Sequence, residues 1–194
     1  MPLQNQIGEK ALKNALRALG AFACLGVVSA CGGGKDSETE TATFSGSGFP
    51  FTFEYPGDWE LTDDVTVDQS VGGAPDETIA LGLDNDNAIV LQRFTLSLEV
   101  DEANLDRAKA EFDSLVQELD PEAIGAETGE IASYPSLDYE SIALTTPAEG
   151  ESRFIVLFEG DQEYLINCQS TPENREEVES ACERALETLE STGG

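Results

Sequence analysis

Histidine is absent from this chain, and basic residues are scarce, with Lys and Arg numbering 10 against 39 Asp and Glu. Without histidine there is no Ser-His-Asp or Cys-His catalytic set. Nor is there an imidazole to complete a metal site beside the four cysteines. The formal net charge of −29 repels nucleic acid and anionic lipid head groups alike. No apolar run reaches the roughly 20 residues that a spanning helix needs; the longest, Ala18 to Ala30, has 13. Neither Gly32–Gly34 nor Gly72-Gly73 carries a phosphate-loop signature. Asp84 to Ile89, DNDNAI, begins like a calcium loop. It lacks the acceptor at position five, the Gly at six and the Glu at twelve, so it reads as a hairpin turn.

What is present begins at the N-terminus. Lys10, Lys13 and Arg17 precede the short apolar run, and small residues close it. That order describes an export signal. Its end, VVSAC, places Val28, Ser29 and Ala30 directly before Cys31 and resembles the bacterial lipobox: a branched apolar residue, two small ones and a cysteine. The resemblance implies a diacylglyceryl group on the Cys31 thiol and cleavage before it, with Val28 at the branched position. Two acyl chains anchor stably where one holds only marginally. The expected attachment is therefore "anchored to" the membrane of an extracytoplasmic compartment, through Cys31, with residues 1–30 removed.

Removing residues 1–30 leaves 164 residues, 7 basic and 38 acidic, with a net charge of −31. This suits one domain of ordinary size. Such a field favours a domain that stands off its membrane and meets basic or cationic partners, although uniform acidity also serves solubility alone. Gly32 to Gly48 has almost no apolar content and reads as a flexible tether following Cys31, over 31–48. As Gly-rich coil it would reach roughly 20–25 Å.

The domain is expected over 49–191. Phe49, Phe51, Phe53 and Tyr55 alternate with other residues, the period of a half-buried strand. Pro56-Gly57 turns, and Trp59 returns to the core. Glu77 to Val100 reads as a hairpin about the DNDN turn, and Ser136 to Thr146 as a strand. Glu151 to Ser170 reads as a second hairpin, turning at Gly160-Asp161. Leu105, Ala108, Phe112, Leu115, Val116 and Leu119 form one stripe of a helix over about 101–119. A closing helix over about 172–189 presents Val178, Ala181, Cys182, Ala185 and Leu189. Hairpins without β-α alternation point to an α+β class, an antiparallel β-sheet with packed helices.

The opening FTFEYPGDW, the middle helix, the late hairpin ending in EYLINC and the closing helix resemble the PsbP/Mog1-like domain, in its bacterial lipoprotein, LpqN-like branch. The resemblance covers about Phe49 to Ser191. It implies an α/β/α sandwich and a mostly non-enzymatic accessory or binding role.

Cys24 lies in the signal and Cys31 in the lipobox, leaving Cys168 and Cys182. In an exported setting such a pair is normally a disulfide. Here Cys168 shares a strand face with Tyr164 and Ile166, and Cys182 lies on the helix stripe.

No residue stands out as catalytic, and no cofactor or metal is expected. Carboxylate pairs such as Asp138 and Glu140 arise by chance in so acidic a chain. The expected function is a monomeric binding or accessory module for an envelope protein or small ligand. A carboxylate-only glycan hydrolase and a passive acidic surface component are the alternatives. The lipobox makes a direct prediction: Cys31→Ser leaves the protein soluble or unprocessed in detergent phase separation. A variant that partitions into detergent with its signal removed contradicts the lipid assignment.

Overall fold

A computed structural model describes residues 40–62, 74–144 and 150–193. The signal, Cys31 and the first part of the expected tether lie outside the described residues. In chain order the elements are β1 (Thr41–Ser45), β2 (Phe51–Pro56), β3 (Glu60–Thr62), β4 (Glu77–Gly82), β5 (Ala88–Val100), α1 (Leu105–Leu119), β6 (Glu127–Ile131), β7 (Tyr134–Leu144), β8 (Gly150–Ser170), α2 (Arg175–Glu187) and β9 (Glu190–Ser191). They build a small antiparallel sheet, β1-β2-β9, and a large one, β3-β4-β5-β8-β7-β6.

β8 organises the large sheet. Drawn straight, its 21 residues would measure about 70 Å at roughly 3.3 Å per residue. Yet Ser152 and Arg153 share one groove with Cys168 and Ser170, and Ile155 and Leu157 share one core with Tyr164 and Ile166. The chain therefore doubles back within β8. Residues 150–157 pair with β7 and residues 160–169 with β5. The reversal is at Gly160, whose φ of +62° suits the first central position of a II′ hairpin turn, which favours Gly. The hairpin expected at Gly160-Asp161 is thus present, inside continuous extended backbone.

Ile155, Val156, Leu157 and Phe158 are all buried. Successive strand residues face opposite sides, so Ile155 and Leu157 enter one core while Val156 and Phe158 enter the other. The first core lies under α2 and the small sheet. Phe44, Phe49, Phe51 and Phe53 interlock there, and Phe51 meets Tyr164 edge-on at 5.6 Å between centroids. Each such ring contributes about 1.5–3 kcal/mol on burial. The second core lies under α1, where Phe112 meets Phe158 at 6.3 Å. Helix, sheet and helix form the expected α+β sandwich, with the small sheet beside α2.

Side-chain hydrogen bonds fasten the layers. The Tyr139 hydroxyl of β7 donates to Asp113 Oδ1 of α1 at 2.9 Å, and Lys109 Nζ reaches Asp113 Oδ2 at 2.6 Å. Burial works to raise the Asp113 pKa. The bonds from Lys109, Tyr139 and the Ala126 N–H outweigh it and hold the carboxyl below its ordinary value. On the other face, the Glu54 N–H donates to Thr188 Oγ1 at 2.8 Å, tying β2 to the end of α2. In the DNDN turn, Asp84 Oδ1 accepts from the Asp86 and Asn87 N–H groups at 2.9 and 3.0 Å. Asn87 Oδ1 accepts from the Thr171 N–H at 2.9 Å and pins the turn to the end of β8. The segment is a braced hairpin turn, as read.

The structure corrects the expected tether. Thr41–Ser45, assigned to coil, is β1, in register with β2 from Thr41↔Pro56 to Ser45↔Thr52. Its single large apolar residue, Phe44, is 2% exposed and stacks on Phe53 at 4.9 Å. The domain therefore includes residues on the N-terminal side of Phe49. Strands β6 and β9 are further additions. The β6–β7 hairpin turns on Ala132 and Ser133, with φ of 50° and 73°. These are left-handed values normally left to Gly, Asn or Asp, so the usual sequence signal is missing. Both helices begin later than expected, at Leu105 and Arg175.

Cys168 of β8 and Cys182 of α2 are bonded, with Cα atoms 6.1 Å apart, inside the window of about 4.4–6.8 Å that a disulfide allows. The expected pair is the one formed, and it staples α2 to the sheet. Replacing both cysteines by alanine should lower unfolding free energy by about 3 kcal/mol in a urea titration, with the domain still folding on its two apolar cores. Two free thiols in denatured, unreduced wild-type protein would overturn the assignment.

Candidate acidic groove between the closing helix and the sheet

A groove of about 220 Å³ opens between α2 and the strands β7 and β8. Three distant stretches of sequence build it. Glu140 comes from β7, Glu151, Arg153, Cys168 and Ser170 from the two runs of β8, and Val178, Glu179, Cys182 and Glu183 from α2. The doubling back of β8 makes the floor continuous by laying residues 151–153 beside 168–170. The disulfide and Val178 supply its apolar part.

Arg153 is held at the floor. Its Nε donates to Asp138 Oδ1 at 3.0 Å and its Nη2 to Asp138 Oδ2 at 2.6 Å. This two-pronged bond to Asp138, more than the field of nearby Glu140 and Glu183, raises the guanidinium pKa against the opposing effect of burial. Arg175 of α2 reaches Glu151 at 2.7 Å. Asp138 and Glu151 are therefore matched. Glu140, Glu179 and Glu183 make no direct ion pair among the described residues, but Glu140 and Glu183 lie in the field of Arg153. Ser170 is 6% exposed and lines the groove. It shares the strand face of Cys168, two residues away, which points to α2.

Of the residues singled out in the sequence, Cys31 lies outside the described residues, and Cys168 and Cys182 meet in the groove wall. Asp138 and Glu140 share one strand face, but Arg153 engages the first. Sequence reading missed Arg153, Ser170, Glu179 and Glu183. One signal was available: Glu179 and Glu183 stand four residues apart on one helix, a like-charge spacing that costs a few tenths of a kcal/mol. No helix among the described residues is long and apolar enough to cross a membrane. No group of three or more Asp, Glu or Cys among them is arranged to hold a metal ion.

One carboxyl is strongly perturbed, and it lies elsewhere. Glu163 is 7% exposed, pairs across the sheet with Phe94, and makes no hydrogen bond or ion pair. Desolvation alone pushes its pKa up to about 7. Tyr164, its neighbour, enters the core under α2, so alternation directs Glu163 to the opposite side of the sheet from the groove.

No family model and no curated protein matches the sequence. Solved structures do. Cyanobacterial PsbP from Synechocystis sp. PCC 6803 superposes with a TM-score of 0.51 at 13% identity, covering 84% of this chain and 98% of that one. The fold is that of PsbP. A Bacteroides thetaiotaomicron protein gives a TM-score of 0.47 at 14% identity, over 77% of this chain and 47% of that chain. LpqN of Mycobacterium tuberculosis, a protein involved in cell envelope biogenesis, gives 0.43 at 9% identity, over 80% and 86%.

Glu163 supplies a pH prediction. Its folded pKa lies above its unfolded value near 4.5, so the native state holds the proton more tightly. The stabilisation is complete below about pH 4.5 and is lost as pH rises to about 7. Unfolding free energy should fall across that window by about 3 kcal/mol at most, from the shift in pKa. Glu163→Gln should flatten the decline and be the more stable protein at pH 8. An unchanged pH slope in the variant contradicts the assignment.

Proposed function

We propose that this protein is a non-catalytic binding or accessory module of the cell envelope, exported and held to the membrane by lipid on Cys31. The observation that carries the non-catalytic reading is the separation of the groove from the perturbed carboxyl. General acid catalysis of glycoside cleavage needs a carboxyl with raised pKa facing the substrate, with a second carboxylate opposite. Here Glu163 sits across the sheet from the groove, and Asp138 at the groove floor is engaged by Arg153. The lack of histidine removes the commonest general base. The PsbP fold agrees with this reading, but a fold hosts many functions and does not decide among them.

The export signal and lipobox support the location, and the polar stretch after Cys31 fits a tether. A binding role is favoured over a purely passive acidic coat by a shaped feature, the groove between α2 and the sheet. The groove is smaller than the roughly 300–1,000 Å³ typical of small-molecule sites, which favours a single side chain or small group as its occupant. The purified protein should show no turnover on glycan, ester or peptide substrates. Reproducible turnover abolished by one Asp or Glu substitution would overturn the reading.

A further inference from the structure

We infer that the corner of the domain carrying Leu61 and Leu83 rests on a lipid surface of zwitterionic head groups. The inference rests on the lipid-anchor reading of Cys31 and names the face that the anchor turns to the membrane. Three observations meet at this corner. The first is where the anchored end enters the domain. β1 opens at Thr41, opposite Pro56, and the Gly57 N–H donates to the Glu40 carbonyl at 2.7 Å. A Cβ at Gly57 would lie 2.7 Å from that carbonyl oxygen, so the entry is fastened where Gly lets two backbones meet. Glu40 stands nine residues after Cys31, a span of about 32 Å at most, at roughly 3.3–3.6 Å per residue. Turning this corner away from the lipid therefore stretches the connection.

The second observation is the apolar pair. The chain leaves the fastening through Asp58 and Trp59 into β3. Leu61 lies directly opposite Leu81 of β4, and Leu83 is two residues past Leu81. Both leucines thus point to the Leu81 side of the sheet, as diagonal neighbours about 7–8 Å apart. Leu81 is closed into the aromatic core at 0% exposure, yet Leu61 and Leu83 are 55% and 41% exposed. Only Leu98 and Ile124 join them as exposed large apolar residues among the described ones. The third observation is charge. Asp58, Glu60, Asp84 and Asp86 stand exposed around the pair. They repel anionic head groups and leave a zwitterionic surface as the one the leucines enter. A second copy of the chain fits less well, because it would bring two sets of these acids together. Two leucines are a weak membrane contact for a free protein. The anchor removes that difficulty, since the contact has only to outweigh other orientations of a domain already held at the surface.

Trp59, the only tryptophan, lies in the same corner and is its natural probe. Full-length lipidated protein is reconstituted into phosphatidylcholine vesicles with a nitroxide on part of the choline head groups, and Trp59 emission is read against unlabelled vesicles. Emission should be quenched. Leu61→Gln/Leu83→Gln should cut the quenching by about half or more, because it removes the apolar area that makes the contact. Ile124→Gln, at a residue 86% exposed beyond α1, should leave it unchanged. Exchanging part of the phosphatidylcholine for phosphatidylglycerol should lower it. No quenching in protein that floats with the vesicles, quenching that the leucine variant leaves intact, or equal losses in both variants overturns the inference. A leucine-dependent cross-linked dimer in place of quenching overturns it in favour of a second copy. Protein that fails to float with the vesicles would instead sink the lipid anchor, so the two failures are distinguishable.

Discussion

Both cores depend on four consecutive residues. Ile155, Val156, Leu157 and Phe158 are buried on both sides of the large sheet, which is possible only because each side has its own cover. The aromatic small sheet and α2 close one face, and α1 closes the other. Antiparallel sheets often leave one face to water; this one does not at its centre. The constraint propagates outward. The reversal at Gly160 sets which residues of the second run share a face with the first, and so which cysteine can meet α2. A shift of one residue would send Cys168 to the α1 side and Glu163 into the aromatic core.

The groove is a by-product of the same geometry. Where α2 is stapled by Cys168–Cys182, helix and sheet cannot close fully over the large side chains of Glu140, Glu151 and Arg153. The disulfide therefore sets the groove's shape: it fixes how far the carboxylates of the helix stand from those of the sheet. Glu163 shows the opposite arrangement, a buried acid without a partner, whose cost grows as the pH rises. Stability and candidate binding site thus use acidic residues in different ways on the two faces of one sheet.

Much of the fold was legible in the sequence. The F-x-F-x-Y alternation, the Gly160-Asp161 turn and the cysteine on the last apolar stripe each carried a local signal that packing then reinforced. The misses have physical causes. β1 has one large apolar residue, Phe44, in a run of Gly, Ser, Thr and Glu, and it is ordered by pairing with β2 and by the rings around it. The turn at Ala132-Ser133 lacks the residues that left-handed backbone prefers, so β6 had no visible end. β9, two residues long, exists only because β2 is there to pair with it. The groove was least legible. Its acids look like every other acid in a chain with 39 of them, and only the reversal of β8 and the placement of α2 distinguish Glu140, Glu179 and Glu183 from the rest.

On the binding role proposed above, the partner meets this module at the groove on the α2 side of the sheet. Site-specific photo-crosslinking on intact cells tests it most directly. A benzophenone amino acid replaces Glu176, one turn before Glu179 on α2, or Glu118 on the exposed side of α1. A discrete protein adduct from position 176 that is absent from position 118 is the predicted result. Matching adducts from both positions, or an adduct from 118 alone, would contradict it.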